Sequence, residues 1–272
     1  MRVQLQLGAD KLQNKAGPLK GISDPYAIVT LASTDEELGR TSSIKNCLSP
    51  MWTEPIIFDY PDPEENIYIS VEIWDDNRDE QDVLMTKTSV FNLKNALDFP
   101  EHAHIEDLDH GQLVCHLVPS EETSTVMQFQ MRCLDVHNIE RGILGFGKTD
   151  PFIEIRKVYH YPKTGSKYSH PVYRSEVVFD HLNPIFDPVS ITLEQLCDGN
   201  PDMSLEITLW DYDKKKRNFI GKTETNVHGL LDAIALDGNG DRSRALEFYK
   251  DVYEKLKLRG LLVVMSAKLV DV

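Results

Sequence analysis

Nowhere do the 272 residues contain an uninterrupted stretch of about 18 uncharged apolar residues, so no membrane-spanning helix is expected. The amino-terminal MRVQLQLGAD alternates apolar and polar residues and lacks the apolar block of a secretory leader. Both absences point to a cytoplasmic protein whose contact with membranes is peripheral. Cysteine is scarce: Cys47, Cys115, Cys133 and Cys197 are scattered, with no C-x-x-C pair, and read as reduced, mostly buried thiols. Basic residues are outnumbered, 29 Lys and Arg against 44 Asp and Glu, for a formal net charge of −15. A phosphate polymer would be repelled at long range, which excludes nucleic acid as a partner. Catalytic signatures are missing as well. There is no G-x-S-x-G elbow, no H-E-x-x-H and no zinc-spaced Cys/His set, and His102, His104 and His110 read as solvated side chains of an acidic loop. No enzyme is expected.

One motif argues the other way. Gly142-x-x-x-x-Gly147-Lys148-Thr149 satisfies the phosphate-loop pattern of nucleotide-hydrolysing enzymes. Such a loop must run from a strand into a helix whose N–H groups cradle phosphate. Here Thr149 is followed by Asp150-Pro151 and then FIEIRKV, which reads as a strand. A nucleotide partner is therefore excluded. DGNGDRSRALEF (237–248) imitates a helix-loop-helix calcium loop but has Arg242 where glycine is required and Phe248 where a bidentate glutamate is required.

Internal repetition decides the organisation. GISDPYAIV (21–29) matches GKTDPFIEI (147–155), and LSPMWTEPIIF (48–58) matches LNPIFDPVSI (182–191). SVEIWDDN (70–77) matches EITLWDYD (206–213), and GQLVCHLV (111–118) matches GLLVVMSAKLV (260–270). Four blocks in one order describe a duplicated domain: 1–118, a polar linker 119–124, and 125–272. The copies differ in charge. Residues 1–118 hold 9 basic against 21 acidic side chains, a balance of −12, whereas 119–272 hold 20 against 23, or −3. Within each copy the apolar period is two, punctuated by Gly, Pro, Asn and Asp, which predicts an all-β fold of two antiparallel sandwiches in tandem. Helical pattern is expected only over 92–99, 227–236 and 244–258.

The blocks S/T-D-P-[YF], L-x-P-x-[WF] and W-D-x-[DN], in that order and once per copy, resemble the C2 domain family. The second copy is most similar to the second C2 domain of copines, with synaptotagmin-like tandem C2 proteins a more distant match. Copines continue into a von Willebrand A-type domain, which the resemblance does not reach. It implies an eight-stranded β-sandwich with three loops at one end, where acidic side chains hold Ca²⁺ and dock onto anionic phospholipid. Carried over by position, the implied ligands of the first copy are Asp24, Asp75, Asn77 and Asp82, with Asp79 nearby. The first loop-one position falls near Pro18, and Asn14 is a poor substitute. In the second copy Asp150, Asp211 and Asp213 fit, Asn218 replaces the closing carboxylate, and Leu144 occupies the loop-one position. Each set lacks at least one charged ligand, so calcium binding is expected to be weak or lipid-assisted. The same aspartates also suit turns and caps bonded to their own backbone.

A metal-free route to a membrane is present too. Lys214, Lys215, Lys216 and Arg217 form the tip of the second copy's third loop, and Ile143, Leu144 and Phe146 lie near the apex of its first. Arg156, Lys157, Lys167 and Arg174 are expected to add a basic face resembling the phosphoinositide-binding patch of some C2 domains. The expected function is peripheral, calcium-modulated binding of anionic phospholipid, mainly through the second domain. The alternative is a calcium-independent scaffold whose acidic first domain binds a protein partner.

Overall fold

The period-two segments become strands, and their apolar sides close two separate cores. A computed structural model of the chain describes residues 1–16, 21–77, 80–98, 103–139, 147–161, 163–213, 216–238 and 240–272, with Lys216 through its backbone alone. It divides into two units, Met1–Glu121 with Tyr159–His170, and Glu122–Val158 with Pro171–Val272. Among the described residues no helix is long and apolar enough to cross a membrane.

In chain order the first unit contains β1 (Arg2–Asp10), β2 (Pro25–Leu31), β3 (Glu36–Arg40), β4 (Ile56–Asp59), β5 (Tyr68–Asp75), β6 (Val83–Lys87), β7 (Phe91–Asn92), α1 (Lys94–Asp98), β8 (His104–Asp107) and β9 (Gln112–Pro119). One sheet runs β4-β1-β9-β8 and the other β3-β2-β5-β6, with β7 paired to β5. Alternate residues point inward: Val3, Leu5 and Leu7 from β1 meet Ala27 and Val29 from β2 and Ile69, Val71 and Ile73 from β5. Trp52 is buried in this core and donates its indole N–H to the Pro25 carbonyl at 3.3 Å.

The second half of the chain forms β10 (Thr125–Leu134), β11 (Pro151–Tyr161), β12 (Ser166–Arg174), β13 (Val189–Thr192), α2 (Leu193–Cys197), β14 (Leu205–Asp213), β15 (Lys216–Thr225), α3 (Val227–Asp232), β16 (Leu246–Asp251) and β17 (Leu256–Asp271). They make one ribbon, β12-β11-β14-β15-β16-β17-β10-β13. Between β15 and β16 only Lys222 and Tyr249 pair, so the ribbon turns there and its two halves face each other. Phe129, Met131, Ile153, Ile155, Ile207, Leu209, Phe248 and Leu262 fill the space between. The expected all-β tandem is what forms. Cys115 and Cys133 are buried, and burial pushes both thiols up, so they stay protonated and inert.

Two helical expectations hold in shortened form, α1 within 92–99 and α3 within 227–236. The third does not: 244–258 is the hairpin of β16 and the start of β17. Leu246 and Phe248 alternate inward and pair with Leu262 and Gly260, while Val252 and Lys255 exchange backbone hydrogen bonds around the turn. Tyr253 and Glu254 sit there at φ 54° and 61°. Apolar residues spaced like one helix face were instead divided between a turn and two strand faces, because the long β17 offered a partner edge. Conversely α2 was not foreseen; Thr192 caps it by accepting from the Gln195 amide at 3.1 Å.

Tyr253 is 95% exposed and strained only by its left-handed backbone. Tyr253→Gly should therefore stabilise the protein to urea by a few tenths to about 1 kcal/mol. In a helix the same change would cost about 0.5–1 kcal/mol, so a fall in the denaturation midpoint would contradict the hairpin.

Candidate functional site

A buried carboxylate at the end of a central strand organises the loops in each unit. Asp75 closes β5 and accepts from the Asp24 amide through Oδ1 at 2.7 Å; Asp211 on β14 accepts from the Asp150 amide through Oδ1 at 2.9 Å. Asp24 and Asp150 then reach across to a third segment, where each Oδ1 accepts from a backbone N–H at 2.7 Å, that of Asn46 or Asp180. Asn46 and Asp180 occupy left-handed backbone, φ 52° and 53°, which their short polar side chains tolerate. The same three-way tie thus gathers the loops after β1, β3 and β5 in one unit and those after β10, β12 and β14 in the other.

Asn14 and Asn138 staple their loops rather than facing a ligand. Asn14 accepts from the Ser23 amide and hydroxyl and donates to the Gly21 carbonyl, and Asn138 donates to that of Gly147 at 2.9 Å. Thr149 is fully buried; its hydroxyl accepts from Ile139 and donates to the His137 carbonyl at 3.3 Å. The phosphate-loop threonine is therefore consumed internally and leads into β11, as its strand-like successor required.

The ladder registers make the two sites comparable position by position. Asp75 lies opposite Val83, and Asp211 lies opposite Asn218. Asn218 donates its amide N–H to Asp211 Oδ2 at 3.1 Å, so it serves as a partner to that carboxylate. The Val83 side chain can donate nothing, and Asp75 Oδ2 is buried with no hydrogen-bond partner among the described residues. One residue earlier, Asp82 in the first unit is replaced by Arg217 in the second. Asp82 accepts from the Asn77 amide at 3.1 Å and from the Tyr26 hydroxyl at 2.8 Å. Burial and that hydrogen bond push the Tyr26 phenol up to about 12, so it remains a donor. Asn77 directs its own amide toward the backbone of Asp75 at 3.4 Å. Asp213 ends β14, half-buried. Among the described residues no three His, Cys, Asp or Glu side chains converge into a ready metal cage.

Arg217 does not extend from a loop tip. Its guanidinium lies 4.6 Å from the Trp210 ring centroid and donates to Glu154 Oε1 at 2.6 Å. Glu154, fully buried on β11, is also held by Arg174 at 2.6 Å and Arg156 at 3.2 Å. Burial alone would raise its pKa, but the three arginines overcome this and hold the carboxyl below its usual range. The basic face thus carries its own counter-ion, and Glu154 was not singled out from sequence. A signal for it exists: Glu154 stands in a strand where the first copy has Ile28. Lys157 must be corrected outright. It is 0% exposed, its ammonium sits 2.5 Å from Asp198, and it cannot contribute to a surface patch. Desolvation lowers its pKa against the opposing pull of Asp198. Lys167 groups with the first unit and is exposed. Ile143, Leu144, Phe146, Lys214 and Lys215, together with Pro18, Asp79 and His102, lie outside the described residues, as does the side chain of Lys216.

The family model for the C2 domain matches residues 3–105 and 125–241. Among curated proteins, Copine-A of Dictyostelium discoideum is 26% identical over 239 residues, covering 85% of this chain and 38% of that protein. Protein BONZAI 1 of Arabidopsis thaliana is 26% identical over 267 residues, covering 88% of this chain and 43% of that protein. The chain thus spans about two fifths of the length of both relatives. Among solved structures, BON1-C2B covers 54% of this chain and 92% of its own at 23% identity and a TM-score of 0.43. A structure of the two tandem C2 domains of Extended-Synaptotagmin 2 covers 98% of this chain and 91% of its own at 15% identity and a TM-score of 0.33.

Glu154→Gln leaves three arginines facing a neutral amide. It should cost about 2–3 kcal/mol in urea denaturation, less than the ~3–5 of breaking a sealed pair because the guanidinium groups still reach water. A carboxyl whose folded pKa is depressed contributes fully above its unfolded pKa and loses that contribution as pH falls through the folded value. The gap between parent and variant should therefore narrow only at strongly acid pH.

Proposed function

The chain belongs to the C2 domain family, and from that premise we propose that its two domains, 1–118 and 125–272 joined by 119–124, bind anionic phospholipid by different means. The first holds Ca²⁺; the second meets the membrane without metal. The observation that carries this reading is the fate of the buried strand-end carboxylate. In the first domain one oxygen of Asp75 is buried with no hydrogen-bond partner among the described residues, whereas in the second Asn218 already supplies Asp211 with a donor. An unpaired carboxylate oxygen out of water is costly, and a cation is the partner that relieves it.

The first domain offers such an ion carboxylate oxygens that do not, among the described residues, already converge into a cage. Asp24, Asp75 and Asp82 would hold it through oxygen, the donor type Ca²⁺ prefers, with water or lipid phosphate completing its shell. Bound there, the ion supplies positive charge between an acidic domain and an anionic surface. A domain with a balance of −12 needs that neutralisation. The second domain has replaced it. Arg217 stands where Asp82 stands in the first, and the run Lys214–Arg217 comes directly after Asp213. Its residues therefore do not fit a resident calcium, which departs from the sequence expectation of metal ligands in both copies. Arg156, Arg174 and Arg217 around one glutamate leave a net positive face for headgroup phosphate. Membrane contact of this kind is peripheral and places the protein at the cytoplasmic surface of a bilayer. The acidic first domain keeps a second reading open, in which it docks a basic protein partner.

Calorimetric Ca²⁺ titration of the whole chain separates the two sites. Asp75→Asn should abolish the binding heat and Asp211→Asn should leave it; the opposite pattern would overturn the assignment. In sedimentation with phosphatidylserine vesicles, changing Lys214, Lys215, Lys216 and Arg217 to Ser should weaken binding more than changing Asp211 and Asp213 to Asn. Absence of vesicle binding in both the presence and absence of Ca²⁺ would leave only the protein-partner reading.

A further inference from the structure

Of the three carboxylates proposed to hold the ion, Asp82 is the one that paired strands do not place. Asp24 directly precedes β2 and Asp75 closes β5, and the ladder that sets Pro25 opposite Asp75 fixes the backbone of both. Asp82 lies just outside the β5–β6 ladder, whose last pair is Asp75 with Val83. Two hydrogen bonds orient its carboxylate instead. Oδ1 accepts from the Asn77 amide at 3.1 Å, a bond within the same loop that would move with it. Oδ2 accepts from the Tyr26 hydroxyl at 2.8 Å, and that bond crosses to another strand. Tyr26 is half-buried on β2, two residues from Asp24 and opposite Trp74, the neighbour of Asp75. Its hydroxyl therefore refers the loop carboxylate to the same pair of strand ends that carry the other two.

The second unit keeps the ring and drops the hydroxyl. Phe152 takes the place of Tyr26, opposite Trp210 in the ladder of β11 with β14. The residue that a hydroxyl would hold has changed with it, from Asp82 to Arg217, which lies on Trp210 and Glu154. A ring alone thus suffices for the fold at this position, and the hydroxyl is present where there is a carboxylate to receive it. A hydroxyl donating to a metal-ligating carboxylate restricts its rotation and leaves its other lone pairs available.

We propose that Tyr26 is a positioning residue for calcium binding by the first domain, its hydroxyl fixing the Asp82 carboxylate before the ion arrives. This rests on the proposal that Asp24, Asp75 and Asp82 hold Ca²⁺. Tyr26 contributes no ligand and acts through Asp82. Without the hydroxyl, Asp82 keeps only the bond to its own loop, and the freedom it regains must be given up again on binding.

Calorimetric Ca²⁺ titration of the whole chain provides the test. Tyr26→Phe should weaken binding about tenfold, the low end of the loss expected when the hydrogen-bond partner of a metal ligand is removed. The variant should stay folded, because Phe152 already fills the matching position. Asp82→Ala should weaken binding too, and adding Tyr26→Phe to it should cost nothing further, because the hydroxyl then has no carboxylate to hold. Tb³⁺ in place of Ca²⁺ gives a readout that ring packing would not move, the number of bound waters from its luminescence lifetime in light and heavy water. Tyr26→Phe should raise that number toward the value for Asp82→Ala. Unchanged Ca²⁺ affinity or unchanged Tb³⁺ hydration in Tyr26→Phe would overturn the proposal and leave the calcium assignment standing. So would an equal loss with and without the Asp82 carboxylate, since the hydroxyl would then act by another route. A parent chain that takes up no Ca²⁺ would overturn both.

Discussion

The loops of both units depend on one arrangement, an aspartate carboxylate at the end of a central strand accepting from the amide of the aspartate that opens the neighbouring strand. Asp75 does this for Asp24 and Asp211 for Asp150. The geometry is available because β2 pairs with β5 from Pro25 opposite Asp75, and β11 with β14 from Pro151 opposite Asp211. Proline has no N–H to offer at that point, so the amide before it is the donor that reaches the carboxylate. The second aspartate of each pair is then held over the adjacent loop, and three loops become one surface. Without that tie the carboxylates would be solvated turn residues and nothing would converge.

Once the frame is in place, the two units diverge through a few side chains at matched positions. Val83 and Asn218 decide whether the side chain opposite the buried carboxylate can donate to it. Asp82 and Arg217 decide the sign of charge beside it. Ile28 and Glu154 decide whether the outer face of the strand gathers arginines. In the second unit these differences act together. The arginine that stands where the first unit has Asp82 is drawn onto Trp210 and Glu154, and the Asp211 carboxylate is satisfied by the Asn218 amide.

Lys157 illustrates how charge can mislead when burial is unknown. It lies in a strand beside Arg156 and looks equally basic in one dimension, yet alternation sends one side chain to the arginine face and the other inward to Asp198. The cost of burying an ammonium is met by a close carboxylate at the left-handed cap of α2, a helix that local pattern did not reveal.

The amino-acid sequence by itself determined the duplication, the all-β class and the family, because period-two alternation and four ordered blocks are local properties that no packing alters. It also located the aspartates that tie the loops and showed that the phosphate-loop pattern runs into a strand rather than a helix. Only the tertiary structure decided which carboxylate is satisfied, which basic residue is buried, and that 244–258 is a hairpin. Those outcomes turn on the residue opposite across a ladder: Asn218 opposite Asp211, Val83 opposite Asp75, β17 alongside β16. Such neighbours are distant or inserted in the chain, and their effect on charge and conformation comes from desolvation and pairing, which act only once the sheets have closed.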